Sequence, residues 1–294
     1  MSPFVHSLYR GGIAPLLCVL AVLELFASRG DAGTLAQFRT IYGDIEVELF
    51  DQEKPVTVGN FVRYVRGRAY ENMFFHRCAP GFVLQGGGFF TTNRHDIIPL
   101  ENVFSVPRLP PITNEFFVGP RKSNTFGTIA MAQSGTDRNS ATSQWFFNTA
   151  NNSAGQPNDL DALNGGFAVF GRTVRGTNLL ASFNNRFNGF GLVDLGGAFS
   201  ELPVNFIGLS FPTYTDLIYV DISLLNVQVK KVANNAREIS WTSVTNRPNV
   251  VEFTTNFPPA WQTLVNTNGN GLTLQVTDDS TNAPRRFYRV RVNY

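Results

Sequence analysis

The chain has 294 residues, of which 43% are hydrophobic, and its formal net charge at pH 7 is +2. This length is enough for one large domain, or for a domain and a smaller module, with a buried core. So small a charge, without a block of lysine or arginine, argues against a nucleic-acid partner. The 27 phenylalanines, together with frequent glycine and proline, favour a mainly β fold over a helical bundle.

Residues 1–32 have the pattern of a secretory signal peptide. Arg10 precedes the apolar run "GGIAPLLCVLAVLELF", which is followed by small and polar residues. We expect cleavage near Ala32 and export to the periplasm, the cell envelope or the extracellular space. Retention as a membrane anchor is the alternative, although the run is short and contains Glu24. Because only Cys78 then remains, we expect no internal disulfide.

Two strands and a helix are predicted next. The segment "AQFRTIYGDIEVELF" alternates apolar and polar residues around Gly43, which predicts a β-hairpin. One side of this alternation carries Ile41, Ile45, Val47 and Leu49. Pro55 then begins a predicted helix, in which apolar residues recur at helical spacing and Gly67 lies near the end.

The middle of the chain predicts short strands separated by turns. Four segments are strand-like by their β-branched and aromatic content, namely "FVLQGG", "GTIAMAQ", "SQWFFNTA" and "FAVFGRTV". The proline-punctuated residues 91–116 predict an extended surface loop. A second short helix is predicted for "GTNLLASFNN", and "DLIYVDISLLNVQV" returns to strand alternation. Two helices against many strands suggest a closed barrel.

The last part of the chain predicts a separate β-module. After about Lys231, five candidate strands alternate with turn segments such as "NRPN" and "NGNG", at the spacing of a small β-sandwich. The last candidate strand places Arg289 and Arg291 on one face, which predicts one solvent-exposed face and one buried face. The predicted buried side carries Tyr288, Val290, Val292 and Tyr294. We therefore divide the chain into a signal peptide (1–32), a main domain (33–230) and a C-terminal β-module (231–294).

The sequence lacks the residues that many enzyme classes need. Beyond residue 32 the only histidines are His76 and His95, so neither a Cys/His cluster nor a zinc-binding helix can be assembled. No P-loop, dinucleotide-binding glycine motif or serine nucleophile motif occurs, and Cys78 has no base near it in sequence. These observations argue against hydrolases, kinases and dehydrogenases, and we expect no metal and no cofactor.

Residues 74–88, "FFHRCAPGFVLQGGG", closely resemble the signature of the cyclophilin-type peptidyl-prolyl isomerases. Two later segments, "GTIAMAQSGTDRNSATSQWFFN" and "GGFAVFGRTVRGTNLL", resemble further parts of the same family, and the similarity covers residues 38–183 in order. The resemblance implies an eight-stranded antiparallel barrel closed by two helices, which agrees with the elements predicted above. It also implies an enzyme that isomerises X-Pro bonds of polypeptides without a cofactor.

By this resemblance, Arg77 is the catalytic hydrogen-bond donor, and Phe82 and Gln85 complete the catalytic group. A guanidinium suits this role because it stays charged beside apolar groups and offers several directed N–H groups. Leu160 is the alternative to Leu163, because the spacing "DLDALNGG" leaves the alignment open. The remaining positions that match the peptide-binding groove are Val83, Ala132, Gln133, Ser134, Gln144, Phe146, Leu163 and Phe167.

The chain departs from the family pattern at two of these positions. Val83 stands where many members have methionine, and Phe167 where many have histidine. No tryptophan occupies the position that cyclosporin-sensitive members use, so we expect catalysis with weak cyclosporin binding. His76 is expected to be structural, because the reaction transfers no proton. The glycines 86–88 are expected to allow a close backbone approach or a bulge.

The predicted function is thus that of a monomeric isomerase that speeds the folding of exported, proline-containing polypeptides. Two alternatives belong to other classes. The first is a non-catalytic scaffold that binds proline peptides, which the changes at Val83 and Phe167 suggest. The second is an adhesion or surface-attachment protein that acts through the C-terminal module.

Overall fold

The structure is a computed structural model that describes residues 34–96, 102–185, 190–205, 212–243, 246–256, 258–280 and 285–292. The predicted signal peptide at residues 1–32 lies outside the described residues. Within these ranges, no helix is both long and apolar enough to cross a membrane.

A curled antiparallel sheet of eight strands forms the centre of the fold. In chain order the strands before the C-terminal module are β1 (Leu35–Thr40), β2 (Gly43–Leu49), β3 (Arg77–Ala79), β4 (Val83–Gly86), β5 (Phe89–Phe90), β6 (Phe104–Ser105), β7 (Thr128–Met131), β8 (Trp145–Asn148), β9 (Val169–Arg175), β10 (Gly191–Val193), β11 (Leu202–Val204) and β12 (Asp221–Leu225). The sheet order is β12-β1-β2-β9-β7-β8-β4-β3, so β4 lies between β3 and β8.

Backbone hydrogen bonds join the two ends of this sheet. The amide of Phe75, just before β3, donates to the carbonyl of Ile218 at 3.0 Å, and the amide of Val220, just before β12, donates to the carbonyl of Met73 at 2.9 Å. The sheet therefore closes into a barrel, and the barrel predicted from the sequence is confirmed.

Two helices accompany the barrel, α1 (Pro55–Arg66) and α2 (Thr177–Ser182), as predicted. Helix α1 begins with proline, whose missing N–H costs nothing at a helix start. Its Phe61 packs into the barrel core, where the Phe38 ring lies 5.9 Å from the Phe61 ring and 5.1 Å from the ring of Trp145. An aromatic core of this kind accounts for the high phenylalanine content.

The hairpin of β1 and β2 forms as predicted, with one exception. Ile45, Val47 and Leu49 of β2 are buried in the barrel, but Ile41 is 58% exposed. Ile41 lies in the turn between the strands, where the alternation of a strand no longer determines which way a side chain points.

The segment around Glu115 ties the predicted surface loop to helix α1. The Glu115 carboxylate accepts hydrogen bonds from the amide and the hydroxyl of Thr57, each at 2.7 Å, and so satisfies free N–H groups at the helix start. The buried Lys54 ammonium donates to the carbonyl oxygens of Glu115 and Val118 at 2.8 and 2.6 Å. Burial lowers the pKa of Lys54. This loop is therefore anchored at its C-terminal side.

Among its described residues, the C-terminal region has six strands in two sheets. They are β13 (Val227–Lys231), β14 (Arg237–Thr242), β15 (Pro248–Thr254), β16 (Gln262–Asn268), β17 (Thr273–Asp278) and β18 (Phe287–Val292). One sheet has the order β13-β14-β17 and the other β16-β15-β18. All five candidate strands are present, and a further strand, β13, pairs with β14.

The core of this region lies between its two sheets. Ile239, Trp241, Val251 and Val290 are buried there, while Tyr294 lies outside the described residues. Arg289 and Arg291 of β18 both donate to the carboxylate of Glu252 on the neighbouring strand β15. Trp241 is thus a core residue of this region, and the partly exposed face of β18 carries an ion-pair cluster.

Candidate functional site

Strands β3 and β4 bring the predicted catalytic residues together. The turn at residues 80–82 reverses the chain, so that Arg77 of β3 lies directly opposite Gln85 of β4. The guanidinium carbon of Arg77 lies 5.8 Å from the centre of the Phe82 ring, which is half-buried. A local hairpin therefore positions all three residues, which explains why one short motif could predict them.

A chain of polar side chains continues from Gln85. The Gln85 amide Nε2 donates to Oε1 of Gln144 at 2.7 Å, across strands β4 and β8. Gln144 also forms a hydrogen bond with the His76 side chain. Both glutamines are partly exposed, whereas His76 is buried. Gln85 is thus held in one orientation by Gln144, which in turn contacts the buried His76.

His76 is uncharged at neutral pH. Its burial, and then the positive charge of Arg77, lower its pKa to about 4, although the hydrogen bond with Gln144 acts in the opposite direction. The ring also packs edge-on against Phe89, with centres 5.1 Å apart. This placement fits the expected structural role.

An apolar cluster lies beside the polar chain. Val83 and Phe146 are buried in it, and the Phe146 ring lies 5.8 Å from the Phe167 ring in an edge-to-face arrangement. The half-buried Phe82, Ala132 and Phe167 pack against it and reach the surface. The apolar cluster is defined by Ala79, Val83, Ala130, Phe146, Leu160 and Val169, with Phe50, Phe82, Ala132 and Phe167 packed against them.

The leucine of the apolar cluster is Leu160, and Leu163 takes no part in it. Leu160 is 4% exposed, whereas Leu163 is 55% exposed. Leu163 is exposed because it begins a short 3-10 helix, Leu163–Gly165, that turns outward from the cluster. The chain then returns, and the amide of Phe167 donates to the carbonyl of Leu160. The choice of Leu163 over Leu160 is therefore not supported by this placement.

Residues 132–134 form the next rim of the site. The Ala132 amide donates to the carbonyl of Gln144 at 2.9 Å, which joins this segment to the start of β8. The Gln133 side chain donates to the carbonyl of Gly166 at 2.9 Å, while its oxygen has no hydrogen-bond partner in the described part of the chain. Ser134 is exposed, and its amide is already bonded to the Ser140 hydroxyl. Of these three residues, Gln133 is the one with a buried side-chain acceptor that has no partner in the described part of the chain.

One residue beside Arg77 has no signal in the sequence motifs. The Nε of Arg77 donates to Oε2 of Glu201 at 2.8 Å. Glu201 is 124 positions away along the chain, and no local pattern marks it. It becomes recognisable only when the barrel closes.

The site combines a fixed cation, an amide chain and an apolar surface. Such an arrangement can hold a compact apolar ring and donate hydrogen bonds to polar atoms next to it. Cys78 is buried away from solvent, and no group of three or more His, Cys, Asp or Glu side chains in the described ranges is placed to bind a metal.

Comparison with known proteins agrees with the motifs. Residues 35–193 match the family model described as cyclophilin type peptidyl-prolyl cis-trans isomerase/CLD. A peptidyl-prolyl cis-trans isomerase of Acinetobacter baylyi is 35% identical over 161 residues, which cover 55% of this chain and 77% of that protein. Peptidyl-prolyl cis-trans isomerase A of Dickeya dadantii is 39% identical over 165 residues, covering 55% of this chain and 78% of the relative.

A solved structure is also similar. A cyclophilin type peptidyl-prolyl cis-trans isomerase of Cryptosporidium parvum, crystallised in the presence of the dipeptide Ala-Pro, superimposes with a TM-score of 0.42 at 21% identity. The superposition covers 65% of this chain and 98% of that one.

Proposed function

The chain belongs to the family of cyclophilin-type peptidyl-prolyl cis-trans isomerases, and we propose that its catalytic site is the apolar cluster together with Arg77 and Gln85. The protein is a peptidyl-prolyl cis-trans isomerase. The observation that carries the site assignment is the pairing of Arg77 with Gln85 beside the Phe82 ring, at the edge of the apolar cluster.

The reaction requires the prolyl amide to twist out of its plane. The partial double bond makes the barrier about 18–20 kcal/mol, and isomerisation without a catalyst takes tens of seconds or longer. In the twisted state the prolyl nitrogen regains a lone pair that can accept a hydrogen bond. A donor that binds this lone pair stabilises the transition state more than the planar ground state, which lowers the barrier.

Arg77 is the donor in this proposal. Its guanidinium lies over the Phe82 ring, so the donated N–H groups act next to apolar surface, where a hydrogen bond is stronger than in water. The apolar cluster holds the pyrrolidine ring, and Gln85, oriented by Gln144, binds the carbonyl that precedes proline. His76 supplies no proton, because it is neutral at pH 7 and the reaction transfers none.

A refolding assay tests the site. The protein from residue 33 onward is added to a substrate protein whose refolding is limited by prolyl isomerisation, and its acceleration is compared with that of Arg77→Ala. We expect the unchanged protein to accelerate refolding and Arg77→Ala to lose most of the effect. Equal acceleration by both proteins would remove Arg77 from the mechanism.

The clients in this proposal are exported proteins. The signal-like pattern of residues 1–32 supports this location. Cell fractionation followed by N-terminal sequencing tests it, with a chain that begins at residue 33 as the control that should stay in the cytoplasm. A full-length protein recovered only from the cytoplasm would contradict export.

Two alternative functions were considered: a non-catalytic scaffold and adhesion through the C-terminal module. The non-catalytic scaffold is not favoured, because the chain belongs to a family of isomerases. Adhesion through the C-terminal module stays an untested prediction, as does the monomeric state.

A further inference from the structure

Glu201 lies in a segment beyond the part of the chain that matches the family model, which ends at residue 193. It directly precedes strand β11, and its carbonyl accepts a hydrogen bond from the amide of Cys78 at 2.7 Å. The segment thus bonds to strand β3 one residue after Arg77.

Apolar residues on both sides of Glu201, buried on one side and half-buried on the other, hold the segment in place. Leu202 and Val204 are 1% and 0% exposed. On the other side, the Phe199 ring lies 4.7 Å from the ring of Phe89, which follows the glycines of the motif. The Glu201 backbone is therefore anchored against the barrel by packing, independently of its side chain.

The Glu201 side chain reaches the guanidinium of Arg77 from this anchored backbone. Oε2 of Glu201 accepts from Nε of Arg77 at 2.8 Å, and the two side chains are 37% and 35% exposed. Ion pairs this open to solvent contribute little to stability. The terminal nitrogens of Arg77 have no hydrogen-bond partner among the described residues, so they are free to bind another molecule.

We propose that Glu201 is a positioning residue for Arg77, which holds Nε so that the terminal nitrogens of the guanidinium face the bound prolyl amide. This inference rests on the proposed role of Arg77 as the donor. In this role Glu201 acts only through Arg77.

A bond from Glu201 should increase kcat because the arginine side chain is otherwise flexible. A long side chain that is free in solution must be ordered when the transition state forms, which slows the reaction. A carboxylate bonded to Nε orders the guanidinium plane beforehand, and a donor that is already oriented stabilises the transition state without reorganisation. Positioning of Arg77 by Glu201 should therefore raise kcat, whereas binding of the planar substrate depends mainly on the apolar cluster.

The experiment compares four variants of the protein from residue 33 onward. They are Glu201→Ala, Glu201→Gln, Arg77→Ala and, as the matched control, Glu48→Ala. Glu48 pairs with Arg172 through the same atoms at the same 2.8 Å, on strands β2 and β9. The values of kcat and KM come from exchange NMR of an X-Pro peptide, and thermal melting reports stability.

We expect Glu201→Ala to lower kcat roughly tenfold with KM changed less than about twofold, a smaller effect than the roughly 10²-fold that a misplacement of about 1 Å can cause. Glu201→Gln should lose less, since its amide oxygen still accepts from Nε. The melting temperature should stay near that of the unchanged protein, and Glu48→Ala should leave kcat unaltered. In NMR spectra, the Arg77 Nε–H signal should exchange with water faster in Glu201→Ala.

Other outcomes separate the two proposals. If Arg77→Ala is inactive while Glu201→Ala keeps its full kcat, the positioning role is wrong and the site assignment stands. The positioning role would also be wrong if Glu201→Ala changed only KM, or if its decrease in kcat were no greater than that of Glu48→Ala. If Arg77→Ala is fully active, the site assignment itself fails. If the Glu201→Ala protein does not fold, the kcat and KM of Glu201→Gln test the positioning role in its place.

Discussion

The indole ring of Trp145 packs directly against Gly86, its cross-strand neighbour on β4. A Cβ atom added to Gly86 would lie 2.7 Å from this ring, closer than real contacts allow. The next residue, Gly87, has a φ of +78°. The consecutive glycines of the motif therefore serve close packing over the core and a left-handed turn of the backbone.

This contact predicts that Gly86→Ala destabilises the barrel. The added methyl group overpacks the core, and we expect a loss of about 1–3 kcal/mol in the free energy of unfolding, measured with urea. Gly59→Ala is the control, because its methyl group meets no atom within 4 Å in helix α1. That change should stabilise the protein by roughly 0.5–1 kcal/mol. A Gly86→Ala protein as stable as the parent would show that Trp145 can move aside.

The Arg77→Lys variant should lose most of the isomerase activity although the charge is kept. Lysine has no planar fork, so it cannot bond to Glu201 through one nitrogen while offering others to the substrate. We expect kcat/KM to fall by about 10²-fold, comparable to the loss of one preorganised donor. Arg172→Lys, at an exposed ion pair, should keep the parent activity. Activity retained in Arg77→Lys would mean that charge alone is sufficient.

The two candidate leucines should respond differently to truncation. Leu160→Ala opens a cavity in the apolar cluster, so we expect a loss of about 2–5 kcal/mol in unfolding free energy and a higher KM for an X-Pro peptide. Leu163 is exposed, and Leu163→Ala should stay within about 0.5 kcal/mol of the parent. The opposite ranking in urea unfolding and peptide kinetics would place Leu163 in the site instead.

His76 should make stability depend on pH. Its pKa is lowered from 6.5 to about 4 in the folded protein, so the unfolded chain takes up the proton first as the pH falls. The stability linked to His76 is complete above pH 6.5 and is lost between pH 6.5 and about 4. The full loss is about 3 kcal/mol, at 1.36 kcal/mol for each pKa unit.

The His76→Gln variant isolates this effect. Urea unfolding of both proteins is followed from pH 7.5 to 4, and the stability of the parent relative to the variant should decline over this interval. Parallel curves would show that His76 titrates normally when folded. Carboxylates contribute equally to both proteins, so they cancel in the difference.

Much of the candidate site could be predicted because its residues are close along the chain. Arg77, Phe82 and Gln85 lie on one tight hairpin, where the register follows from the turn. Leu160 and Leu163 were harder to distinguish, because they lie three positions apart and the direction of the 3-10 helix that begins at Leu163 depends on packing with the barrel. Ile41 illustrates the same limit at a turn, where alternation no longer predicts burial.

The amino-acid sequence by itself determined the local features: the alternation of the strands, the proline at the start of α1, the run of three glycines and the motif that identifies the family. Each depends on residues a few positions apart, whose geometry the backbone restricts strongly. Only the tertiary structure decided that Leu160 joins the apolar cluster and that Glu201 meets Arg77 across 124 positions. Such contacts form when the barrel closes and distant segments pack together, and no local pattern records them.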